Sequence, residues 1–381
     1  MREVATPSAT LPVLIAGAGI AGLSTALCLT HRNIPCEIIE KRDASRTEGA
    51  GIQITPNALQ VLSALGLAHE VKARALAPHS IEVNNGRSGA RIVTMPLGDG
   101  FASVHAAPYL VIRRQHLVDI LRDAAEARGL RISYATAFTS EMAERRDIIG
   151  ADGVWSTVRP LINASDARFT GRIAFRALIA PDRLPDWARR IGLSLWLGPD
   201  AHAVAYPIER GGTLNIVAII KTANHEQRWS EPASNQAVLN HFADWNTPLQ
   251  DLIAAADGFL QWPLYTVDPT ASWSHGHRAL IGDAAHAMVP FLAQGGAMAI
   301  EDAAVIAAKL AECPDRPAAF SAYEQARKRR IIAVWREANQ NGLRYHWKGA
   351  LAEARNLGLK ALGGQRLLDR YRWIYDWTPP L

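Results

Sequence analysis

The sequence contains little cysteine, and this scarcity excludes two classes of protein. Cys28, Cys36 and Cys313 are the three cysteines among 381 residues, and their spacing matches no zinc or iron–sulfur pattern. Cys28 and Cys36 also fall within segments that we expect to belong to the core. This usage indicates a protein without disulfides or a metal site in a reducing compartment, and we expect a cytoplasmic location.

A long apolar run of the kind that spans a membrane is also missing. Residues 11–30 carry almost no charge, but three glycines, a proline and several hydroxyl side chains interrupt them. Such a segment is a poor lipid-facing helix. A secretory signal is disfavoured too, because Arg2 is offset by Glu3 and the apolar part contains helix-weakening glycines. We therefore expect no membrane partner, and we interpret residues 1–10 as a loose lead-in.

Positive charge is not concentrated on this chain. The net charge is +5, and the basic residues are scattered rather than interleaved with aromatic residues, so we expect no nucleic-acid partner. The modest positive charge suits small anionic ligands. One dense basic run, residues 327–330, lies in a predicted helix and is expected to be solvated surface. The chain also lacks internal repeats and low-complexity tracts.

The most informative segment is Leu11–Glu40, which predicts a strand, a tight turn, a helix and a second strand. The spacing G-x-G-x-x-G is formed by Gly17, Gly19 and Gly22. These glycines permit the turn, a close backbone approach to a pyrophosphate and close packing of helix on strand. Glu40 lies where an acid binds ribose hydroxyls. The spacing alone can arise by chance, but this context favours a dinucleotide-binding domain.

Two later segments place an acid directly after a predicted strand. Asp152 follows one such strand, and Asp283 follows the strand at residues 278–281. The carboxyl ends of strands in open α/β folds are where ligands bind. Gly295 and Gly296 then open a helix whose dipole favours negative charge nearby.

Other segments predict a second, β-rich region. Residues 78–112 and 168–268 contain short strands, with a helical segment at 235–256. Period-two alternation in residues 201–208 places His202 and Tyr206 on one face. That face suits an aromatic ligand with a phenolic or carboxylate group. A purely structural arrangement, with a hydrogen-bonded core histidine beside a half-buried tyrosine, explains the same pattern equally well. Residues 111–129 predict an amphipathic helix.

Three ordered motifs resemble those of flavin-dependent aromatic hydroxylases of the p-hydroxybenzoate hydroxylase class. They are GAGIAG at 17–22, GADG at 150–153 and LIGDAAHAMVPFLAQGGAMAIEDA at 280–303. The chain looks nearest to the salicylate, 3-hydroxybenzoate and 6-hydroxynicotinate hydroxylases. The resemblance spans most of the chain and implies an α/β fold. It predicts a Rossmann-like FAD-binding domain of glutathione-reductase type, an inserted β-rich substrate domain and C-terminal helices.

The resemblance also implies domain boundaries and site residues. The FAD-binding domain with the C-terminal helices would comprise 1–77, 105–165 and 270–381, and the substrate domain 78–104 and 166–269. The implied cofactor-binding residues are Gly17, Gly19, Gly22, Glu40, Lys41, Gln53, Arg114, Asp152, Asp283, Gly295 and Gly296. The implied catalytic residues are His202, Tyr206 and Pro290. Some relatives carry His in place of Gln53 and others carry Gln in place of Pro290, so the exact substrate stays open.

The implied reaction uses NAD(P)H to reduce FAD, which then binds O2 as a C4a-hydroperoxide and transfers one oxygen atom to a phenolic or hydroxypyridine aromatic acid. His202 or Tyr206 would take up the phenolic proton. A flavin dehydrogenase or reductase without oxygen activation, or a non-catalytic flavin-binding protein, is the alternative. A second G-x-G-x-x-G is absent, which argues against reductases with two dinucleotide domains. For the oligomeric state, a homodimer is one possibility.

Overall fold

The structure of the protein, a computed structural model, describes residues 11–43, 51–144, 146–223 and 230–381. The strands are β1 (Val13–Ala16), β2 (Cys36–Ile39), β3 (Gly51–Ile54), β4 (Ser80–Asn85), β5 (Arg91–Pro96), β6 (Leu110–Arg113), β7 (Ile132–Ser133), β8 (Ile148–Gly150), β9 (Arg168–Ile179), β10 (Leu193–Gly198), β11 (Ala201–Pro207), β12 (Leu214–Lys221), β13 (Glu231–Ala233), β14 (Phe259–Thr266), β15 (Ser274–His275) and β16 (Arg278–Leu280). The helices are α1 (Ile20–His31), α2 (Pro56–Ala64), α3 (Ala68–Arg74), α4 (Asp99–Val104), α5 (Arg114–Ala127), α6 (Asn235–His241), α7 (Thr247–Ala255), α8 (Asp283–His286), α9 (Gly295–Glu312), α10 (Arg316–Tyr345), α11 (Gly349–Asp369) and α12 (Arg372–Tyr375).

The first sheet has the strand order β15-β16-β8-β1-β2-β7. Strands β16, β8, β1, β2 and β7 run parallel to one another, whereas β15 pairs antiparallel with β16 at the edge. The central strand β1 is buried along its whole length, as a continuous apolar run in a parallel sheet should be. Helix α1 is also buried along most of its length and packs on α9 and α5. The predicted strand–turn–helix–strand unit is therefore confirmed.

The second sheet has the strand order β13-β14-β9-β12-β11-β10-β4-β5 and is antiparallel except between β10 and β4. Ala201, Ala203 and Ala205 of β11 belong to the core that this sheet forms with α6 and α7. Val204 and Tyr206, which point to the opposite face of β11, pack in the hydrophobic core that includes the first sheet. The predicted alternation is present. All eight strands come from within 78–104 and 166–269, and the division into domains at those boundaries stays a prediction.

Two predicted helices differ from the structure. Residues Leu110–Arg113 form β6, which pairs with β3, so the helix predicted from residue 111 begins only at Arg114. Its leucine and isoleucine face is buried as expected. The single helical segment expected at 235–256 is divided into α6 and α7. The side chain of Asn246 caps α7 by accepting a hydrogen bond from the Leu249 amide at 3.2 Å.

The prediction that the basic run at 327–330 is solvated surface is wrong for two of its members. Arg327 is 1% exposed and pairs with Glu301 and Asp302, which are both fully buried. Arg330 also binds Glu301, at 2.8 Å. These arginines lie on the side of α10 that packs on α9, so the acids of α9 determine their position. Among the described residues, no helix is long and apolar enough to cross a membrane.

Candidate functional site

The glycine turn at residues 17–22 and the two segments that carry Asp152 and Asp283, which we call the three corners, lie side by side at the carboxyl edge of the first sheet. Gly150 of β8 is paired with Ala16 of β1 on one side and with Leu280 of β16 on the other. Each strand then turns directly into its corner, namely the glycine turn, the segment with Asp152 and the segment with Asp283. The parallel register therefore brings together three motifs that are more than a hundred residues apart along the chain.

The glycines of the first corner have different steric roles. Gly17 has φ of +112°, and a Cβ atom there would lie 2.5 Å from the carbonyl oxygen of Ala151. A Cβ on Gly22 would overlap with the carbonyl oxygen of Gly17. A Cβ on Gly19 would meet nothing within 4 Å. The first and third glycines are thus required by the packing of the protein itself, while Gly19 leaves space for a ligand at the uncapped start of α1.

Glu40 is held against this glycine turn. Its Oε2 accepts a hydrogen bond from the Ala18 amide at 2.8 Å, and its Oε1 accepts one from the Arg42 amide at 2.9 Å. The carboxylate is therefore fixed at the end of β2, next to the start of α1. Lys41 follows as an exposed residue, and its role in cofactor binding stays a prediction.

The two acidic corners are built differently. Asp152 Oδ2 accepts hydrogen bonds from the Thr157 amide at 2.6 Å and from the Thr157 hydroxyl at 2.9 Å. Its Oδ1 is buried and has no partner among the described residues. Asp283 is exposed at the start of α8 and lies beside the start of α9, since a Cβ on Gly295 would be 4.0 Å from Asp283 Oδ1. Gly296 packs against Ile52 of β3, where a Cβ would come within 2.9 Å of Ile52 Cδ1.

Gln53 and Arg114 reach the same region through the pairing of β3 with β6. Gln53 lies in β3 opposite Val111, and its Oε1 accepts a hydrogen bond from the Tyr109 hydroxyl. Arg114 follows β6 directly, and its Nε is buried with no partner among the described residues. Burial lowers the pKa of Arg114, and the nearby Asp283 carboxylate opposes this shift. Arg114 therefore lies near Asp283, and Gln53 lies in the strand that packs on the start of α9.

Tyr206 lies where the second sheet meets β3. A Cβ on Gly51 would be 2.6 Å from Tyr206 Cε2, and the Gly51 amide donates a hydrogen bond to Asn215 Oδ1 at 3.0 Å. Burial raises the pKa of Tyr206 to about 12, although Arg176 and a hydrogen bond with Gln53 partly oppose the shift. Tyr206 is therefore a protonated donor at neutral pH.

Sequence reasoning missed Arg176, which lies on the same face of the second sheet. Its Nε is buried with no partner among the described residues, and its guanidinium lies 5.6 Å from the centre of the Trp262 ring. Burial lowers the pKa of Arg176 and Arg114 adds to the shift, while Tyr206 and Asp283 oppose it. The feature of the sequence that could have identified Arg176 is its position as the one charged residue in the apolar strand segment IAFRALIA at 173–180.

His202 is 1% exposed and belongs to a pair of histidines. Its Nδ1 lies 2.8 Å from Nε2 of His346, a residue that sequence reasoning also missed. The His202 ring centre is 4.9 Å from that of Phe291, which follows the exposed Pro290. Burial, His346 and Arg172 lower the pKa of His202 well below its ordinary value. The structure thus brings His202 to the loop that carries Pro290.

Several buried polar atoms at this junction lack a partner among the described residues. They are Asp152 Oδ1, Arg114 Nε, Arg176 Nε and Asn215 Nδ2. Buried polar atoms in folded proteins are almost always hydrogen bonded, so a ligand is the natural partner for this set. FAD fits the arrangement. Its pyrophosphate suits the free amides of α1, its ribose hydroxyls suit Glu40, and the anionic edge of its ring suits the start of α9.

Comparisons with known proteins agree with this geometry. The family described as "FAD binding domain" matches residues 10–148 and 144–338. A 3-amino-4-hydroxybenzoate 2-monooxygenase of Streptomyces platensis is 35% identical, with 95% of each chain covered. A 3-hydroxybenzoate 6-hydroxylase of Polaromonas naphthalenivorans (strain CJ2) is 30% identical, with 97% of each chain covered.

A solved structure shows the same fold. HpxO of Klebsiella pneumoniae, complexed with FAD and uric acid, superposes with a TM-score of 0.83 at 22% identity, and 96% of each chain is covered. This match extends over both sheets and the C-terminal helices. The family match and the two relatives establish that the chain belongs to the family of FAD-dependent aromatic monooxygenases.

Proposed function

We propose that this enzyme hydroxylates the ring of a small aromatic acid that bears a phenolic or hydroxypyridine oxygen, with NAD(P)H as reductant and O2 as oxidant. Relatives that align over almost the whole chain are named for reactions on 3-amino-4-hydroxybenzoate and 3-hydroxybenzoate. The substrate would bind between the second sheet and the loop that carries Pro290. This location places the ring beside the region that fits FAD.

The observation that carries the proposal is the grouping of three polar side chains at one junction. Tyr206 and Arg176 occupy the sheet face next to Gln53, and His202 lies against the loop beside Pro290. Arg176 offers a positive charge to a substrate carboxylate. Tyr206 donates a hydrogen bond to an oxygen of the substrate, and His202 Nε2 accepts the phenolic proton. Loss of that proton makes the ring more electron-rich, and a positioned base of this kind contributes about 10²–10⁴-fold.

The cofactor would be held by the residues of the three corners. When bound, FAD supplies electron transfer from NAD(P)H and activation of O2. Gly19 and the first amides of α1 would bind the pyrophosphate, and Glu40 the adenosine ribose. Asp152 and Asp283 would bind hydroxyl groups farther along the cofactor. The backbone at Gly295 and Gly296 would hold the ring and stabilise negative charge on it.

Three broader expectations belong to the same proposal. The domain boundaries given above are one, and they are supported by the origin of all eight strands of the second sheet. A cytoplasmic location is another, supported by three free thiols in the chain. A homodimer is the third, and exposed leucines on α11, such as Leu351 and Leu357, are compatible with it.

The test is an assay with isotopically labelled oxygen. The purified, FAD-reconstituted protein is screened with hydroxybenzoates, aminohydroxybenzoates and pyridine carboxylates for stimulated NAD(P)H oxidation under ¹⁸O2. We expect one acid to give a product that contains one ¹⁸O atom. If every acid that stimulates NAD(P)H oxidation yields only hydrogen peroxide and unlabelled acid, the protein is a reductase or oxidase with these ligands and the proposal is wrong.

A further inference from the structure

Two buried histidines from distant elements form a pair at the edge of the proposed substrate site. His202 lies in β11, and His346 directly follows α10. Their Nδ1 and Nε2 atoms are 2.8 Å apart, and the residues are 1% and 7% exposed. The ring of Phe291 packs against both, with centre-to-centre distances of 4.9 Å and 6.3 Å. The pair therefore lies against the loop that carries Pro290.

His346 is held firmly by its surroundings. Its carbonyl oxygen accepts a hydrogen bond from the Asp200 amide at 3.3 Å. The preceding residue, Tyr345, is fixed by Arg355, whose Nη1 donates to its carbonyl oxygen at 2.9 Å. The end of α10 is thus tied to the turn between β10 and β11 and to α11. The imidazole of His346 has little freedom to leave His202.

The chemistry of the pair is that of two neutral imidazoles. Burial and Arg172 lower the pKa of His346 to about 4, with a further contribution from Lys221, and Asp200 opposes the shift. Protonation of either ring places a positive charge near the other ring and near Arg172. In the neutral pair a single N–H lies between the two nitrogens. If His202 donates this N–H, its Nε2 keeps a free lone pair and can accept a proton from a substrate. If His346 donates it, Nε2 of neutral His202 carries the hydrogen and cannot accept a proton.

We propose that His346 is a positioning residue, which accepts the Nδ1–H of His202 and so leaves the Nε2 lone pair of His202 free to take the phenolic proton. This inference rests on the proposed function. In the step, the phenolic O–H bond breaks and an Nε2–H bond forms on His202. The resulting imidazolium keeps its Nδ1–H bond to His346. His346 thereby fixes the tautomer and the ring orientation of His202, as the carboxylate of a Ser-His-Asp triad does for its histidine, but without a negative charge to stabilise the imidazolium.

Only one ring nitrogen of His346 is hydrogen bonded within the part of the chain that the structure describes. Nδ1 of His346 is buried with no partner among the described residues. The His346 Nε2–His202 Nδ1 contact of 2.8 Å is therefore the hydrogen bond that orients the His346 ring among the described residues.

The test compares His346→Gln with His346→Asn in the FAD-loaded enzyme. Gln places its amide oxygen near the former Nε2, whereas Asn reaches only the former Nδ1. We expect His346→Asn to lower kcat about 10-fold or more with little change in KM, and His346→Gln to recover most of the loss. A second readout needs no turnover. The absorption spectrum of a bound hydroxybenzoate reports the fraction of phenolate, which we expect to fall in His346→Asn and to return in His346→Gln.

Two outcomes separate this inference from the proposed function. If wild-type enzyme hydroxylates its substrate, and both variants match it in kcat and in the phenolate fraction, the role of His346 is wrong and the proposed function stands. If wild-type enzyme yields no hydroxylated product from any acid, the proposed function is wrong. If a variant binds FAD weakly, its phenolate spectrum is recorded at saturating FAD. Equal phenolate spectra for His346→Gln and His346→Asn under these conditions also overturn the role of His346.

Discussion

Tyr206 and His202 share one side of β11, but their surroundings change the pKa of each in opposite directions. Burial raises the pKa of Tyr206 to about 12, and burial with His346 and Arg172 lowers that of His202. At neutral pH the phenol keeps its proton and the imidazole is uncharged. Tyr206 can then donate a hydrogen bond but does not take up a proton, whereas His202 can accept one. The sequence could not distinguish these roles because alternation along one strand does not show which residues of other elements surround each side chain.

Arg176 yields the first prediction at the residue scale. Arg176→Gln should raise the Kd of the hydroxybenzoate substrate about 10-fold or more, since a hydrogen bond to a charged group contributes roughly 1.5–3 kcal/mol. A neutral phenol of the same size should bind with unchanged affinity. The measurement is a titration followed by the flavin absorbance. Arg168→Gln, an exposed position on the same strand, is the control. Equal weakening of acid and phenol would show that Arg176 does not bind the carboxylate.

His346 yields a prediction on stability and pH. Its pKa is lowered to about 4 in the folded state, mainly by burial, while the ordinary value of 6.5 applies after unfolding. Between these values the unfolded chain binds more protons, so the free energy of unfolding should fall as the pH decreases from about 6.5 to about 4. The slope from one such group is at most about 1.4 kcal/mol per pH unit. Urea unfolding at several pH values measures it.

The control for this experiment is a histidine on the surface. His346→Gln should make the pH dependence shallower within that window, whereas a substitution of the exposed His31 by Gln should leave it unchanged. Identical slopes for wild type and His346→Gln would contradict the buried, neutral state of His346.

At the scale of elements, the turn between β1 and α1 gives a prediction from two neighbouring glycines. Gly19→Ala should leave the unfolding temperature of the cofactor-free protein unchanged, because its Cβ meets no protein atom within 4 Å. It should nevertheless weaken FAD binding, since the methyl group occupies the space proposed for the pyrophosphate. Gly22→Ala should destabilise the cofactor-free protein, because its Cβ would overlap with Gly17. Thermal unfolding without FAD and fluorescence titration with FAD distinguish the two.

The result that would contradict this account is an unchanged FAD affinity in Gly19→Ala. Such a result would mean that the cofactor does not approach the backbone at the start of α1. The first glycine corner would then be a purely structural turn.

A buried network ties α9 to the Asp283 corner and to α10. Asp302 Oδ2 accepts a hydrogen bond from the Gly282 amide at 3.0 Å, and His286 Nε2 lies 2.6 Å from the same oxygen. Asp302 Oδ1 accepts one from Arg327 Nε at 2.8 Å. Burial alone would raise the pKa of Asp302, but His286 and Arg327 outweigh it and lower the value to about 2. The network thus holds a charged carboxylate behind the site.

Asp302→Asn should therefore destabilise the protein strongly. Removing one partner of a buried ion pair leaves an uncompensated charge, at a cost of about 3–5 kcal/mol in the free energy of unfolding. FAD affinity should fall as well, because the Gly282 amide at the cofactor corner loses its charged acceptor. Denaturant unfolding and FAD titration measure the two effects. The exposed Asp369→Asn is the control, and a similarly small effect of both substitutions would exclude this role for the network.

At the scale of the whole molecule, local patterns predicted local structure well. The apolar run and glycine spacing predicted β1 and α1, and alternation predicted the two faces of β11. Patterns within one segment could not predict partners from another. The β-strand at Leu110–Arg113 exists because β3 lies beside it, and Arg327 is buried because α9 presents two acids to it.

The candidate site was predictable to a different degree in its two halves. The cofactor half depends on motifs that can each be recognised in the sequence by themselves. The structure brings Gly17, Asp152 and Asp283 of these motifs to one edge of the sheet. The substrate half depends on single side chains from separate strands and helices. Arg176 and His346 have no motif of their own. Their importance follows only from their neighbours in the folded chain, since Arg176 lies near Tyr206 and His346 contacts His202.

The measurement that tests the central claim most directly is a crystal structure of the FAD-loaded enzyme with a bound aromatic acid. The account predicts FAD across the carboxyl ends of β1, β8 and β16, with its pyrophosphate at Gly19 and its ring at Gly295. It also predicts the phenolic oxygen of the acid within hydrogen-bonding distance of His202 Nε2. An acid bound elsewhere, with His202 in contact only with protein atoms, would contradict it.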